Sequence, residues 1–269
     1  MNKSRLMIIQ FIISIFYITF SIGDVFATSE TDKGLSIAAL SDRSDLGFGD
    51  SKVHLQMVLR NGEGSKSTRS MIIKTMEIPD ESLGDRSLIV FESPADVAGT
   101  ALLSHAQILD PDDQWLYLPS LKRTKRISSV NKSGPFMGSE FAFEDLTSEE
   151  LNKFTYNYIR TEACNELTCD VIERTPRYEH SGYKRQVVWF DQKIHQIRKI
   201  EFYDRRDELL KVLSVGQYRQ YQDKYWRAHK YSMINIVNNK STDLIYGEYQ
   251  FKNGLTKSNF EKAALRRVR

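Results

Sequence analysis

The side chains able to do chemistry are few and scattered. Five histidines stand at His54, His105, His180, His195 and His229. None pairs at metal-ligand spacing and none belongs to an H-E-x-x-H motif. There is no G-x-S-x-G nucleophile elbow and no glycine-rich loop at a strand-to-helix turn. Glu144 and Asp145 are adjacent carboxylates, but neighbours on an extended chain point opposite ways. That suits charge balance or a helix N-terminus better than acid–base work. Cys164 and Cys169, in "EACNELTCDV", lack the two-residue spacing of a redox or metal pair. In an exported chain they fit a disulfide closing a hairpin loop. No catalytic residue, metal site or cofactor is expected.

Binding chemistry is more concentrated. In "DDQWLYLPSLKRTKRISS", residues 112–129, alternation puts Trp115 and Tyr117 on one face and Leu116 and Leu118 on the other. Both faces are apolar, so this strand is either packed on both sides or lines a cavity on one. Pro119 ends the ladder because it cannot donate a hydrogen bond. Lys122, Arg123, Lys125 and Arg126 then follow without strict alternation, which sends cations to both faces. Such a cluster is either a solvated edge that resists strand addition or a seat for phosphate and carboxylate groups. The whole chain carries a formal charge of only +3, so the patch is local. A general nucleic-acid binder would need a far larger cationic surplus.

Just downstream, "KSGPFMGSEFAFEDLTSEE" crowds Phe136, Met137, Phe141 and Phe143 into a segment punctuated by Gly134, Pro135 and Gly138. Loops are ordinarily polar and exposed. This one either folds back as a plug or lines an entrance, and Met and Phe adapt to guests of variable shape.

The elements that would hold these residues are mostly strands. Residues 1–27 read as a secretory signal peptide, with Lys3 and Arg5 before an apolar run and "VFA" before a cut after Ala27. The remainder, 28–269, contains no second stretch long enough to span a bilayer, and is expected to be soluble. "TSETDKGLSIAALSDRSDLGFGD" predicts a short helix with Leu35, Ala38 and Ala39 at helical spacing. From "KVHLQMVLR" onward the period is two, with Val53, Leu55, Met57 and Leu59 on one face. The alternation recurs between short turn signals such as "NGEG", "DPDD" and "VNNKS", which predicts ten or eleven strands in one antiparallel meander. Thr147 and Glu150 have capping-box spacing for a short helix near Leu151. "LTKSNFEKAALRRV" predicts a closing helical turn or two, with Phe260, Ala263 and Ala264 on one side. No linker divides the chain, so a single domain is expected. A meander this long must curl, and one that does not close makes a trough with an apolar floor.

The combination "DDQWLYLPSLKRTKRI…GPFMGSEFAFEDL", with "GFGD" and "FESPADVAGTALLS" upstream, resembles the outer-membrane lipoprotein-sorting protein family, LolA-like. The similarity is to the exported branch associated with RND-type lipid exporters, and extends over most of residues 33–265. Glu140 stands where the family often has Asp. The resemblance implies a mainly β fold, an incomplete antiparallel β-barrel with short covering helices around a hydrophobic cavity for acyl chains. It further implies a periplasmic carrier, passing a lipid or lipoprotein between membranes or to and from an inner-membrane RND-type exporter or an outer-membrane acceptor. The cavity wall is then expected to use Leu88, Val90, Trp115, Leu116, Tyr117, Leu118, Phe136, Met137, Phe141 and Phe143. Lys122, Arg123, Lys125 and Arg126 would meet a headgroup or a docking partner. A non-carrying accessory protein, with its cavity filled by its own side chains, is the rival expectation.

Overall fold

The computed structural model describes residues 29–80, 82–147 and 150–267. The leader and its cleavage site after Ala27 lie outside the described residues. Ser29 caps α1 (Glu30–Asp45) by accepting the Asp32 amide at 3.1 Å, a role that serine favours. Six strands follow: β1 (Asp50–Arg60), β2 (Lys66–Met76), β3 (Arg86–Ser93), β4 (Ala101–His105), β5 (Asp113–Leu118) and β6 (Arg123–Ile127). After a long connection come β7 (Phe154–Cys164), β8 (Leu167–Pro176), β9 (Tyr183–Asp191), β10 (Ile197–Asp204) and β11 (Leu209–Gly216). Short β12 (Arg219–Tyr221) and β13 (Tyr225–Arg227) pair with each other, and β14 (Lys230–Asn235), β15 (Ser241–Tyr246) and β16 (Gln250–Phe251) complete the described strands.

The sheet runs β6-β5-β4-β3-β2-β1-β15-β14-β11-β10-β9-β8-β7. Each hairpin lies beside its sequence neighbour, and one closure, β1 with β15, joins the first half to the last. The sheet stays open, with β6 and β7 as its margins. The strands outnumber the ten or eleven expected because passages that read as one hold two. "QWLYLPSLKRTKRIS" contains both β5 and β6, and "YWRAHKYSMINIV" contains β13 and β14.

Alternation gives the sheet two apolar faces. On the inner face one continuous cluster takes residues from nearly every strand, including Leu55, Met57, Phe91, Leu116, Ile172 and Met233. On the outer face a second cluster joins Ile72, Leu88, Val90, Leu103 and Trp115, and a third joins Cys169, Val171, Val187 and Trp189.

The covering segments differ from expectation in form. Helix α1 packs through its smallest residues: Gly34 and Ala38 are buried while Leu35 is exposed. A Cβ on Gly34 would stand 2.9 Å from the Asn157 backbone, closer than real contacts allow, so the helix can sit on β7 only with glycine there. The helix expected near Leu151 is a single 3-10 turn, Leu151–Lys153, with no side-chain cap. The capping contact lies earlier, where Asp145 accepts the Ala142 amide at 2.7 Å. The C-terminal segment is two 3-10 turns that bury Phe260 and Leu265, whereas Ala263 is exposed. Among the described residues no helix is long and apolar enough to cross a membrane.

Candidate functional site

The connection from β6 to β7, described over residues 128–147 and 150–153, leaves one open margin of the sheet and returns at the other. This strap lies across the inner face. Both of its ends meet Asp112, at the turn before β5: the Lys132 ammonium donates to the Asp112 carbonyl, and buried Lys153 pairs with the Asp112 carboxylate. The two margins therefore come within side-chain reach at this end. Burial lowers the Lys132 pKa, against the attraction of Asp112.

Between its roots the strap drops apolar side chains onto the floor. Phe136 is fully buried, with ring centroids 5.7 Å from Phe91 and 5.5 Å from Phe143. Phe141 and Ala142 are buried beside it, and Met137, Phe143 and Leu118 pack against the same cluster. The segment is thus a plug. The turn that delivers it is unusual, because Met137 has φ 50° and Gly138 φ 76°. The left-handed region costs a side-chain-bearing residue about 1–2 kcal/mol, so Met137 is held there by its neighbours. Arg69 of β2 donates to its carbonyl.

The plug is fastened by polar bonds to the floor. The Lys211 ammonium, on β11, donates to the Glu140 carbonyl at 3.0 Å and to the Asp145 carboxylate at 2.7 Å, with both ionic side chains almost wholly buried. Tyr183 on β9 donates its hydroxyl to the other Asp145 oxygen at 2.7 Å, and burial pushes that phenol well above its ordinary pKa. Thr242 on β15 accepts the Glu140 amide at 3.0 Å, and Asn235 on β14 donates to the Glu140 carboxylate at 2.7 Å. Glu144 accepts from the Gly182 amide, the Ser181 hydroxyl and the Tyr178 hydroxyl at 2.8, 2.9 and 3.0 Å. Burial, then the neighbouring Asp145 charge, raises the Glu144 pKa. Adjacent Glu144 and Asp145 therefore serve as fasteners on different sides. At the β5 end, Gln114 donates to the Phe143 carbonyl at 2.9 Å.

Two clefts flank the covers. One, of about 310 Å³, lies at the strap's tip among Arg60, Lys66, Gly138, Glu140, Lys240 and Thr242. The other, of about 280 Å³, is bounded by Ile37, Leu40, Phe190, Asp191 and His195. Phe136 lines neither, and where an open hydrophobic cavity was expected over the inner face, the strap's own Phe136 and Phe141 fill the space.

Of the expected wall residues, Leu116, Leu118, Phe136, Met137, Phe141 and Phe143 belong to the inner cluster. Leu88, Val90, Trp115 and Tyr117 do not: they lie on the outer face, beneath Phe260 and Leu265. In β3 the inner residues are Ile89 and Phe91 instead. Lys122, Arg123, Lys125 and Arg126 are exposed on the β6 margin, where register aligns Lys125 with Leu116 and Arg126 with Trp115. Cys164 and Cys169 form the disulfide, with Cα atoms 5.8 Å apart across the β7–β8 hairpin. Lys211, Tyr183, Asn235 and Thr242 were missed by sequence reasoning. Lys211 carried a signal, since it shares a strand face with Leu213 and Val215. Among the described residues no three His, Cys, Asp or Glu converge as a metal-binding set.

An open antiparallel half-barrel roofed by a crossover strap and one helix is the LolA-type architecture, and the comparisons agree. An outer membrane lipoprotein-sorting protein domain from Vibrio parahaemolyticus is 47% identical, with a TM-score of 0.85 over 88% of this chain and 99% of that one. A DUF1329 family protein from Desulfovibrio piger is 27% identical, with a TM-score of 0.84 over 88% of this chain and 100% of that one. A LolA superfamily protein from Nitrosomonas europaea, 18% identical over 86% of this chain and 98% of that one, shares the fold at a TM-score of 0.67. A family model described as "Uncharacterized protein" matches residues 84–267. No curated protein matches. The chain belongs to the outer-membrane lipoprotein-sorting protein family, with the fold of a LolA superfamily protein.

Proposed function

We propose that this protein is a periplasmic carrier whose trough takes the acyl chain of a lipid or lipoprotein once the strap lifts. The observation that carries this reading is the plug. Phe136 and Phe141 fill the inner floor from a segment outside the sheet, fastened by polar bonds that can be exchanged for water. Their similarity to acyl chain is chemical: both are apolar volume that the floor must bury. Magnitudes favour exchange. A chain of about sixteen carbons gains roughly 12 kcal/mol on burial at about 0.8 per methylene, whereas two buried Phe side chains contribute roughly 3–6. The surplus is available to break the Lys211–Asp145 and Glu140 fastenings. The cleft at Gly138 and Glu140 would then deepen along the floor lined by Met57, Phe91 and Leu116. The 47% identical relative is a lipoprotein-sorting protein domain, which supports cargo of this class. Transfer to or from an RND-type exporter, or to an outer-membrane acceptor, completes the reading.

The filled floor also favours a second reading, an accessory protein that carries nothing and docks on a transporter. Native mass spectrometry of protein purified from periplasm separates the two. The carrier is expected to arrive with lipid bound, and to lose it when Glu140→Cys and Thr242→Cys pin the strap down through a disulfide. Uniformly empty protein that holds a transporter tightly would establish the accessory role instead.

A further inference from the structure

The β6 margin has a composition that the strap and trough do not use. Lys122, Arg123, Lys125 and Arg126 are all exposed. Only Arg126 is engaged by an acid among the described residues, pairing with Asp113 at 2.5 Å. Two large apolar side chains bracket these cations: Leu121, 62% exposed, two residues before β6, and Val130, 60% exposed, three residues after it. Lys262 of the C-terminal segment, lying 4.3 Å over the Trp115 ring, extends the positive surface beyond Arg126.

We infer that this margin docks the protein on an anionic phospholipid bilayer. Exposed apolar tips enter between headgroups while long cationic side chains stay at the phosphate level, and the two attractions add. A strand from a protein partner fits less well. The open β6 edge carries cations toward both faces, the device by which sheets repel strand addition, while a diffuse negative surface needs no backbone register. Position gives the docking a consequence, which rests on the carrier reading above. Val130 lies in the first turn of the strap, two residues before Lys132 and its tie to Asp112. Seating Val130 in a bilayer would pull on the root of the strap at the lip of the trough, so the trough would open toward the membrane.

Co-sedimentation tests the docking directly. The exported chain is mixed with vesicles of phosphatidylglycerol and phosphatidylethanolamine, and separately with phosphatidylcholine vesicles. Binding is expected to the anionic vesicles alone and to weaken with salt. Replacing Lys122, Arg123, Lys125 and Arg126 together by Glu should lower partitioning by on the order of a hundredfold or more, since each cation near such a surface is worth roughly a fivefold gain. Leu121→Ser with Val130→Ser should lower it by about tenfold with the salt dependence kept. Wild-type protein that ignores anionic vesicles, or a charge-reversed protein that binds them equally, would overturn the inference; retention of the wild type on an acidic protein instead of vesicles would also overturn it. Lipid carriage is scored apart, by copurification, so docking without cargo refutes only the carrier reading.

Discussion

On the inner face the strap is held by Lys211, Tyr183, Asn235 and Thr242, polar groups set into an otherwise apolar floor. On the outer face the C-terminal segment is held by two knobs, Phe260 and Leu265, both fully buried, with a hydrogen bond between His105 and the Phe260 carbonyl at 2.7 Å. Both covers shield a similar kind of surface. They differ in what removal costs. An apolar knob has nothing to gain in water, so lifting it exposes greasy area without compensation. A buried ion pair is different: its partners are rehydrated on opening, and the desolvation penalty paid on closing is returned. The strap also buries Phe136 and Phe141, so opening it is costly too, but part of that cost is returned at its ion pair, and the inner cover is expected to open before the outer one.

The largest test of that contrast is on the outer side. Phe260→Ala should cost about 3–5 kcal/mol of global stability, the usual range for a fully buried Phe, measured by denaturant unfolding. Lys211→Met leaves Asp145 buried beside Tyr183 without its cation. Breaking a buried pair this way costs about 3–5 kcal/mol when the fold has no escape. Here the escape is opening of the strap, so global stability should fall by less than for Phe260→Ala, while amide exchange across residues 136–145 accelerates strongly. Equal global losses for the two variants would show that the strap is as integral as the outer cover.

The next test acts through pH at the seam where α1, the strap's end and the turn before β3 meet. Burial raises Glu150 to about 7, with Asp85 adding repulsion and Lys153 opposing it. Burial likewise raises Asp85 to about 6, with Glu77, Asp45 and Asp42 adding to it. Asp42 and Asp45 are themselves raised, chiefly by burial, with Arg43 and Arg227 respectively opposing. A carboxyl with a raised folded-state pKa contributes stability below its unfolded value, and that contribution is lost as pH rises through the folded value. The closed arrangement should therefore weaken as pH climbs from about 4 to about 7. Thermal unfolding followed across that window should show the decline, and Glu150→Gln with Asp85→Asn should flatten it. A profile that the double substitution leaves unchanged would place the titration elsewhere.

Parts of this contrast are readable in the sequence. Leu116 and Leu118 separate from Trp115 and Tyr117 by alternation alone, and the structure puts the pairs on opposite faces. What alternation does not supply is which face is inner. That depends on the direction in which the sheet curls, a property of all its strands together, and so Leu88 and Val90 were placed on the wrong side. The crowded aromatics of "GPFMGSEFAF" announce a plug or an entrance because loops seldom hold so much apolar volume. The fastenings were less legible. Lys211 betrays itself by sitting between core positions, but its partner Asp145 is 66 residues away, and Asn235 is 95 residues from Glu140. Short pieces failed for another reason. Leu35 looked like a core residue of α1, yet the close approach of Gly34 to β7 turns the smallest side chains inward.

The smallest test separates a single fastening from the rest. Thr242 is almost fully buried and accepts the Glu140 amide at 3.0 Å. Thr242→Val keeps the shape and removes the acceptor, leaving that half-buried amide without its partner, at a cost of about 1 kcal/mol. If the strap opens apart from the sheet, this cost lowers the opening free energy and hardly touches the global one. Exchange of amides in residues 136–145 should then quicken by roughly fivefold per kcal/mol, while strands β8 to β10 keep their protection. Uniform acceleration through the sheet would mean that strap and sheet come apart only together, and the difference between the two covers would be one of composition alone.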